Sequence, residues 1–147
     1  MQHCLEGLRT SARKMPFQFE FDPAHQVMRT RFSGLVNDAQ LAGFYAAAPG
    51  YLTQCGAHAG IIDFCEVTAF QVSPAAITAL AMSPPVTKDR FFVRVVVAPT
   101  PQVFGLSRMF QILGEHTRPG LTVVHTREDA NAVLNIKNPQ FEPLAGK

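Results

Sequence analysis

Two hydroxyl–proline pairs in this chain, Ser73-Pro74 and Thr100-Pro101, stand between a strand-like run and a segment of helical periodicity. A serine or threonine at a helix N-cap accepts a backbone N–H of the first turn, and a proline next to it has no N–H to leave unpaired. Each pair therefore reads as the start of a helix. The runs before them, residues 59–64 and 91–98, are rich in β-branched and aromatic side chains and short enough to be strands buried on both faces. Buried strand, capped helix, buried strand is a βαβ unit, and its crossover lays neighbouring strands parallel. The chain is thereby confined to the α/β class.

The other segments extend this pattern. Phe17, Phe19 and Phe21 alternate with Gln18 and Glu20, Asp22-Pro23-Ala24-His25 offers turn chemistry, and Val27 to Phe32 resumes the extended pattern, so a β-hairpin opens the fold with Gly34 expected to end it. Asn37 caps a helix carrying Leu41, Phe44 and Tyr45 at helical spacing, expected to stop by Pro49-Gly50. The helix from Pro74 turns Ile77, Leu80 and Ala81 inward and stops at Pro84-Pro85. Arg94 interrupts one face of the 91–98 strand and is expected near an edge or reaching outward. Val103, Leu106, Met109, Phe110 and Leu113 form the inward stripe of the next helix, Leu121 to His125 a last strand, and Thr126 to Asp129 a variant capping box before a final helix. The expected fold is a mixed β-sheet flanked by helices, in the order β-β-α-β-α-β-α-β-α. The domain spans residues 15–135, with residues 1–14 a flexible N-terminal extension and 136–147 a loosely held C-terminal tail.

Several function classes drop out. The 147 residues hold no apolar run near the roughly 18 residues of a membrane span, and residues 1–14 hold no signal-peptide block, so a cytoplasmic protein is expected. Arg9, Arg13 and Lys14 against Glu6 account for the whole net charge of +2, which leaves the remainder neutral and speaks against a nucleic-acid surface. Arg29, Arg31, Arg90 and Arg94 read as solvated strand faces and ends. Cys4, Cys55 and Cys65 cannot all pair and are expected reduced, and Cys55-x-x-His58 with Cys65 lacks a fourth zinc ligand at a usual spacing. Gly105-Leu106-Ser107-Arg108-Met109 lacks the second glycine of a nucleophile elbow. Asp63 reads as a strand-end carboxylate that accepts hydrogen bonds. No catalytic residue, cofactor or metal is expected, and the protein is read as a non-enzyme.

The strand around Ile61 to Phe64 leads through Val67, Thr68, Ala69, Phe70, Gln71 and Val72 to the Ser73 cap. Open α/β sheets meet ligands and partners at the carboxyl ends of their strands, and a helix start there presents free N–H groups. Thr68, Phe70, Gln71 and Ser73 are the candidate partner-binding or anion-binding residues, Ser73 serving first as an N-cap. This segment resembles the STAS domains (sulfate transporter and anti-sigma-factor antagonist), in which a strand with an Asp leads through Val-Thr to Asp-Ser-Ser/Thr-Gly and a helix. The resemblance covers roughly residues 15–135 and is closest to the stand-alone bacterial branch, where residues 90–99 and 104–111 have close parallels. Here Gln71-Val72-Ser73-Pro74 replaces the family motif, so only Ser73 carries over, onto its second hydroxyl. The resemblance implies a regulatory module that meets a protein partner through the loop and helix start around residues 68–83, and it is compatible with a homodimer. The alternative is a module for a small apolar ligand or lipid, held in a pocket between helices and sheet. An exposed apolar patch on the 73–83 helix favours the first, and a closed apolar pocket of several hundred Å³ the second.

Overall fold

Phe17–Asp22 (β1) and Val27–Asn37 (β2) pair antiparallel in a computed structural model that describes residues 17–145. The extension expected at residues 1–14 lies outside the described residues. Asp22 closes the hairpin by accepting the Ala24 N–H at 3.0 Å and meeting His25 Nδ1 at 2.6 Å. The chain continues through α1 (Asp38–Cys55), β3 (Ala59–Gln71), α2 (Pro74–Met82), β4 (Val93–Val97), α3 (Pro101–Leu113), β5 (Leu121–Val124), α4 (Arg127–Leu134) and β6 (Glu142–Pro143). The sheet order is β5-β4-β3-β2-β1-β6, with β2 to β5 mutually parallel and β1 antiparallel to both β2 and β6. This is the expected mixed sheet, with a sixth strand added.

The two faces of the sheet are covered unequally. α1, α2 and α3 share one core with Phe17, Phe19, Phe32, Phe64 and Phe70. Phe32 is its centre, with ring centroids 4.9 Å from Phe64, 5.4 Å from Phe44 and 5.5 Å from Phe17. On the other face Val27, Ile61, Val95 and Val97 are covered by Ala130 and Leu134 of α4. Where α4 stops, that face carries an ion-pair lattice. Arg29 and Arg31 bind Glu20 at 2.8 and 3.1 Å, Arg31 also binds Glu66 at 3.1 Å, and Arg127 binds Asp63 at 2.6 Å and Glu66 at 2.9 Å. Arg29 and Arg31 are thus tied to carboxylates, and Asp63 accepts hydrogen bonds from Arg127 and from the Cys65 N–H.

Local expectations are corrected at six places. Gly34 does not end β2: with φ +70° it sits beside a register shift, and the strand runs on to Asn37. α1 passes through Pro49 to Cys55, because Tyr51 stacks on Phe19 at 4.2 Å and that packing outweighs the one backbone bond proline removes. It ends at Gly56, whose left-handed φ of 67° suits glycine. Phe91 precedes β4 and is 90% exposed. Arg94 is 6% exposed, because β4 lies between β3 and β5 and offers no edge. In α3 the sheet side is Val103 and Ser107, while Leu113 lies exposed at the helix end. Residues 136–145, read as a loose tail, lie along the sheet: Ile136 and Phe141 join the second core, and the Leu144 N–H donates to the Phe19 carbonyl at 2.9 Å.

Candidate functional site

The carboxyl ends of β2 and β3 and the starts of α1 and α2 meet at one end of the sheet. β2 and β3 both reach it, and β3 carries two bulges on the way: its pairing with β2 slips between Arg31 and Ser33, and again between Gly34 and Leu35. Ala69, Phe70 and Gln71 still pair with Leu35, Val36 and Asn37, so residues expected in an irregular loop belong to a strand. Only Val72 and Ser73 join it to α2.

Of the four candidates, Thr68 and Gln71 are exposed, Ser73 is half-buried and Phe70 is buried. Thr68 is the extra residue of the second bulge, opposite the Gly34–Leu35 step. The Phe70 ring packs 5.3 Å from Phe64, so its side chain belongs to the core, and its carbonyl accepts from Gln102 Nε2 of α3 at 2.9 Å. Alternation along a strand puts Thr68 and Phe70 on the same side only where no bulge intervenes.

Ser73 caps α2 by accepting the Ala76 N–H at 3.1 Å. It also meets a residue that nothing in the sequence ties to it. The Ser73 hydroxyl donates to Asp38 Oδ2 and its backbone N–H to Asp38 Oδ1, each at 2.8 Å. Asp38 follows the Asn37 cap, which forms a full capping box with Gln40. One carboxylate therefore takes the electropositive position at both helix starts, and hydrogen bonds to a charged acceptor are the stronger kind. At the start of α2 the Asp38 carboxylate thus holds both the hydroxyl and the N–H of the capping serine. The only sequence signal for Asp38 is an acidic residue in a first helical turn, which marks a favourable dipole and not a tertiary contact.

α2 contains no charged side chain. Its outward positions Ala75, Thr78, Ala79 and Met82 are exposed, Met82 by 68%, while Ile77 and Ala81 face the core. Beneath it lies an apolar cavity of about 50 Å³ between α1, α2, α3 and the sheet, lined among others by Phe44, Tyr45, Leu80 and Phe110. It is far below the several hundred Å³ of a typical ligand pocket. Among the described residues, no three His, Cys, Asp or Glu side chains group to hold a metal ion, and no helix is long and apolar enough to cross a membrane.

No protein-family model matches the chain, and no curated protein does. Among solved structures it is similar to the anti-sigma factor antagonist SpoIIAA in its unphosphorylated form, with a TM-score of 0.54 and 17% identity over 83% of this chain and 99% of that one. The Bacillus cell fate determinant SpoIIAA in its phosphorylated form aligns over 79% of this chain and 96% of that one, at 18% identity and a TM-score of 0.45. The fold is the STAS fold of the anti-sigma-factor antagonist.

Proposed function

We propose that this chain is a non-enzymatic, cytoplasmic regulatory module that binds a protein partner through Thr68, Gln71, Ser73 and the outer face of α2, with Phe70 supporting that surface from the core. The observation that carries this reading is the uncharged outer face of α2. Surface helices ordinarily carry charges on the solvent side, whereas Ala75, Thr78, Ala79 and Met82 leave a small, low-relief apolar strip beside Ser73. Burial of such a strip against a partner is favourable and costs little side-chain entropy. The fold of an anti-sigma-factor antagonist supports a protein that acts by occupying another protein.

The test is affinity capture from the native host with the wild-type chain and with Ala79→Arg, both confirmed folded by circular dichroism. A charge at the centre of the strip removes the captured partner, while Ala132→Arg on the exposed side of α4 leaves it. Equal capture by both variants refutes the assignment of this face.

A further inference from the structure

A large aromatic side chain gains free energy on leaving water, so one that a folded loop holds out in solvent is a candidate contact. Phe91 is 90% exposed, more than any other large apolar side chain among the described residues. A defined turn sets its position. The Asp89 side chain accepts the Phe91 N–H at 2.9 Å, the Asp89 carbonyl accepts the Phe92 N–H at 3.2 Å, and the Asp89 N–H donates to the Thr87 hydroxyl at 3.2 Å. The turn sends Phe92 inward, to 4% exposure, and leaves Phe91 projecting.

Beside the projection lies a recess. An open groove of about 340 Å³ separates the end of α1 from the same loop. Pro49, Leu52, Ala57, Val86 and Phe92 supply its apolar walls, and the exposed Lys88 and Asp89 border it on the loop side. An apolar cavity of about 150 Å³ admits a benzene ring, so a phenyl side chain fits this groove. Phe91 is not one of its walls, and its ring leaves the groove of its own chain open.

A surface that carries both a projection and a recess is complementary to itself. Because both belong to one short loop, a two-fold axis beside that loop carries each Phe91 to the groove of the other copy, and the contact closes at two copies. The charges follow the same exchange. Lys88, Asp89 and Arg90 are exposed and have no ion-pair partner among the described residues. Exchange of the rings sets Arg90, next to each ring, against Asp89 at the groove of the other copy, so the loop offers a second copy both signs of charge. A surface shaped for a different protein needs only one half of this set.

We propose that the chain forms a weak two-fold dimer through residues 86–92, with each Phe91 ring seated in the groove of the other copy. Two rings of about 150–250 Å² each, together with the walls they cover, bury roughly 600–1,000 Å² in all. That is the small end of specific interfaces, and the expected Kd is about 10–100 µM. The dimer leaves the partner surface on α2 free, since the loop lies at the amino ends of β3 and β4 and Ser73 follows the carboxyl end of β3.

Sedimentation velocity on the full chain, from about 5 µM to about 1 mM, brackets that Kd. The wild type is expected to pass from a 16.1 kDa monomer to a dimer and to stop there. Phe91→Asp removes the projection, and Thr53→Arg places a bulky cation in the groove, which Thr53 lines from α1. Both positions are exposed, so each variant is expected to melt within about 2 °C of wild type. Each is expected to weaken self-association at least tenfold. An equal mixture of the two restores part of it, because a mixed dimer keeps one intact ring in one intact groove. Rings that merely stack on each other across the axis give no such recovery. The proposal is overturned by a wild type that stays monomeric to about 1 mM or grows beyond the dimer, by a Phe91→Asp chain that associates like wild type, or by a mixture no more associated than its components.

Discussion

Ser73 Oγ is a donor to Asp38 and an acceptor for the Ala76 N–H, and this double use dictates how its substitutions behave. Ser73→Ala loses both bonds and is expected to cost about 1–2 kcal/mol in a urea titration. A serine used only as a cap accepts replacement by aspartate, but here the new carboxylate would face Asp38. The repulsion is expected to cost about 1–2 kcal/mol, near the solvent-screened end of the Coulomb range because Asp38 is exposed. Asp38→Asn in the same chain should restore most of that loss, and a double-mutant cycle without coupling would show that the two side chains do not meet. Ser73→Asp is therefore a poor mimic of phosphoserine in this protein, since its own neighbour opposes the charge. Cys65 offers a second test at this scale. Burial, then the hydrogen bond and the field of Asp63, push its thiol up to about 11. Its neutral form is favoured by folding, so the associated stability is complete below the ordinary thiol value of 9.0 and is lost as pH rises toward 11. At pH 8, alkylation of Cys65 followed by peptide mass mapping is expected to run at least tenfold slower than in the unfolded chain. Equal rates would place the thiol in water, away from Asp63.

α2 and α3 depend on each other through Arg118, the buried side chain that occupies the last carbonyls of α2 from beyond the end of α3. Truncating it strands those carbonyls and opens the space above Phe110, so Arg118→Ala is expected to cost about 3–5 kcal/mol. A loss below about 1 kcal/mol in the same titration would mean that water replaces it freely. The orientation of α3 makes a paired prediction. Phe110 is half-buried over the cavity, so Phe110→Ala should cost about 2–3 kcal/mol, while Leu113→Ala, at an exposed end, should stay within about 0.5 kcal/mol. The reverse order would restore the stripe that helical spacing alone suggests. That stripe fails at Leu113 because the helix rolls its small Ser107 toward the sheet, a choice made by the neighbouring helices and not by periodicity.

Across the whole molecule, β6 and Phe141 close the open end of the sheet, with the Phe141 ring 4.2 Å from the Arg29 guanidinium. Deleting residues 138–147 should lower the melting temperature by about 5–10 °C through loss of that cover and of the β1 edge pairing. Deleting residues 1–14, proposed here as dispensable for the domain, should shift it by no more than about 3 °C; a larger drop would place them against the core. Glu66 adds a pH dependence to the ion-pair lattice. Its hydrogen bond to Arg127, ahead of the fields of Arg31 and Arg127, lowers its pKa, so its contribution is present above the ordinary carboxylate range and fades as the solution is acidified through it. What the chain determined by itself is what local chemistry encodes. Two hydroxyl–proline pairs, the Asn37 and Thr126 caps and the strand-like runs placed the four helix starts and the succession of the first five strands along the chain, because caps and periodicity act within a few residues. Tertiary structure decided the rest. It carried α1 through Pro49, since aromatic stacking outweighs one lost backbone bond, and it extended β3 through Thr68 to Gln71, since pairing with β2 satisfies backbone groups that a loop would leave to water. It buried Arg94, because a strand's place in the sheet order and not its composition sets its exposure. It also brought Asp38 to Ser73 across 35 residues of chain, a contact that exists only once two parallel strands have set two helix starts side by side.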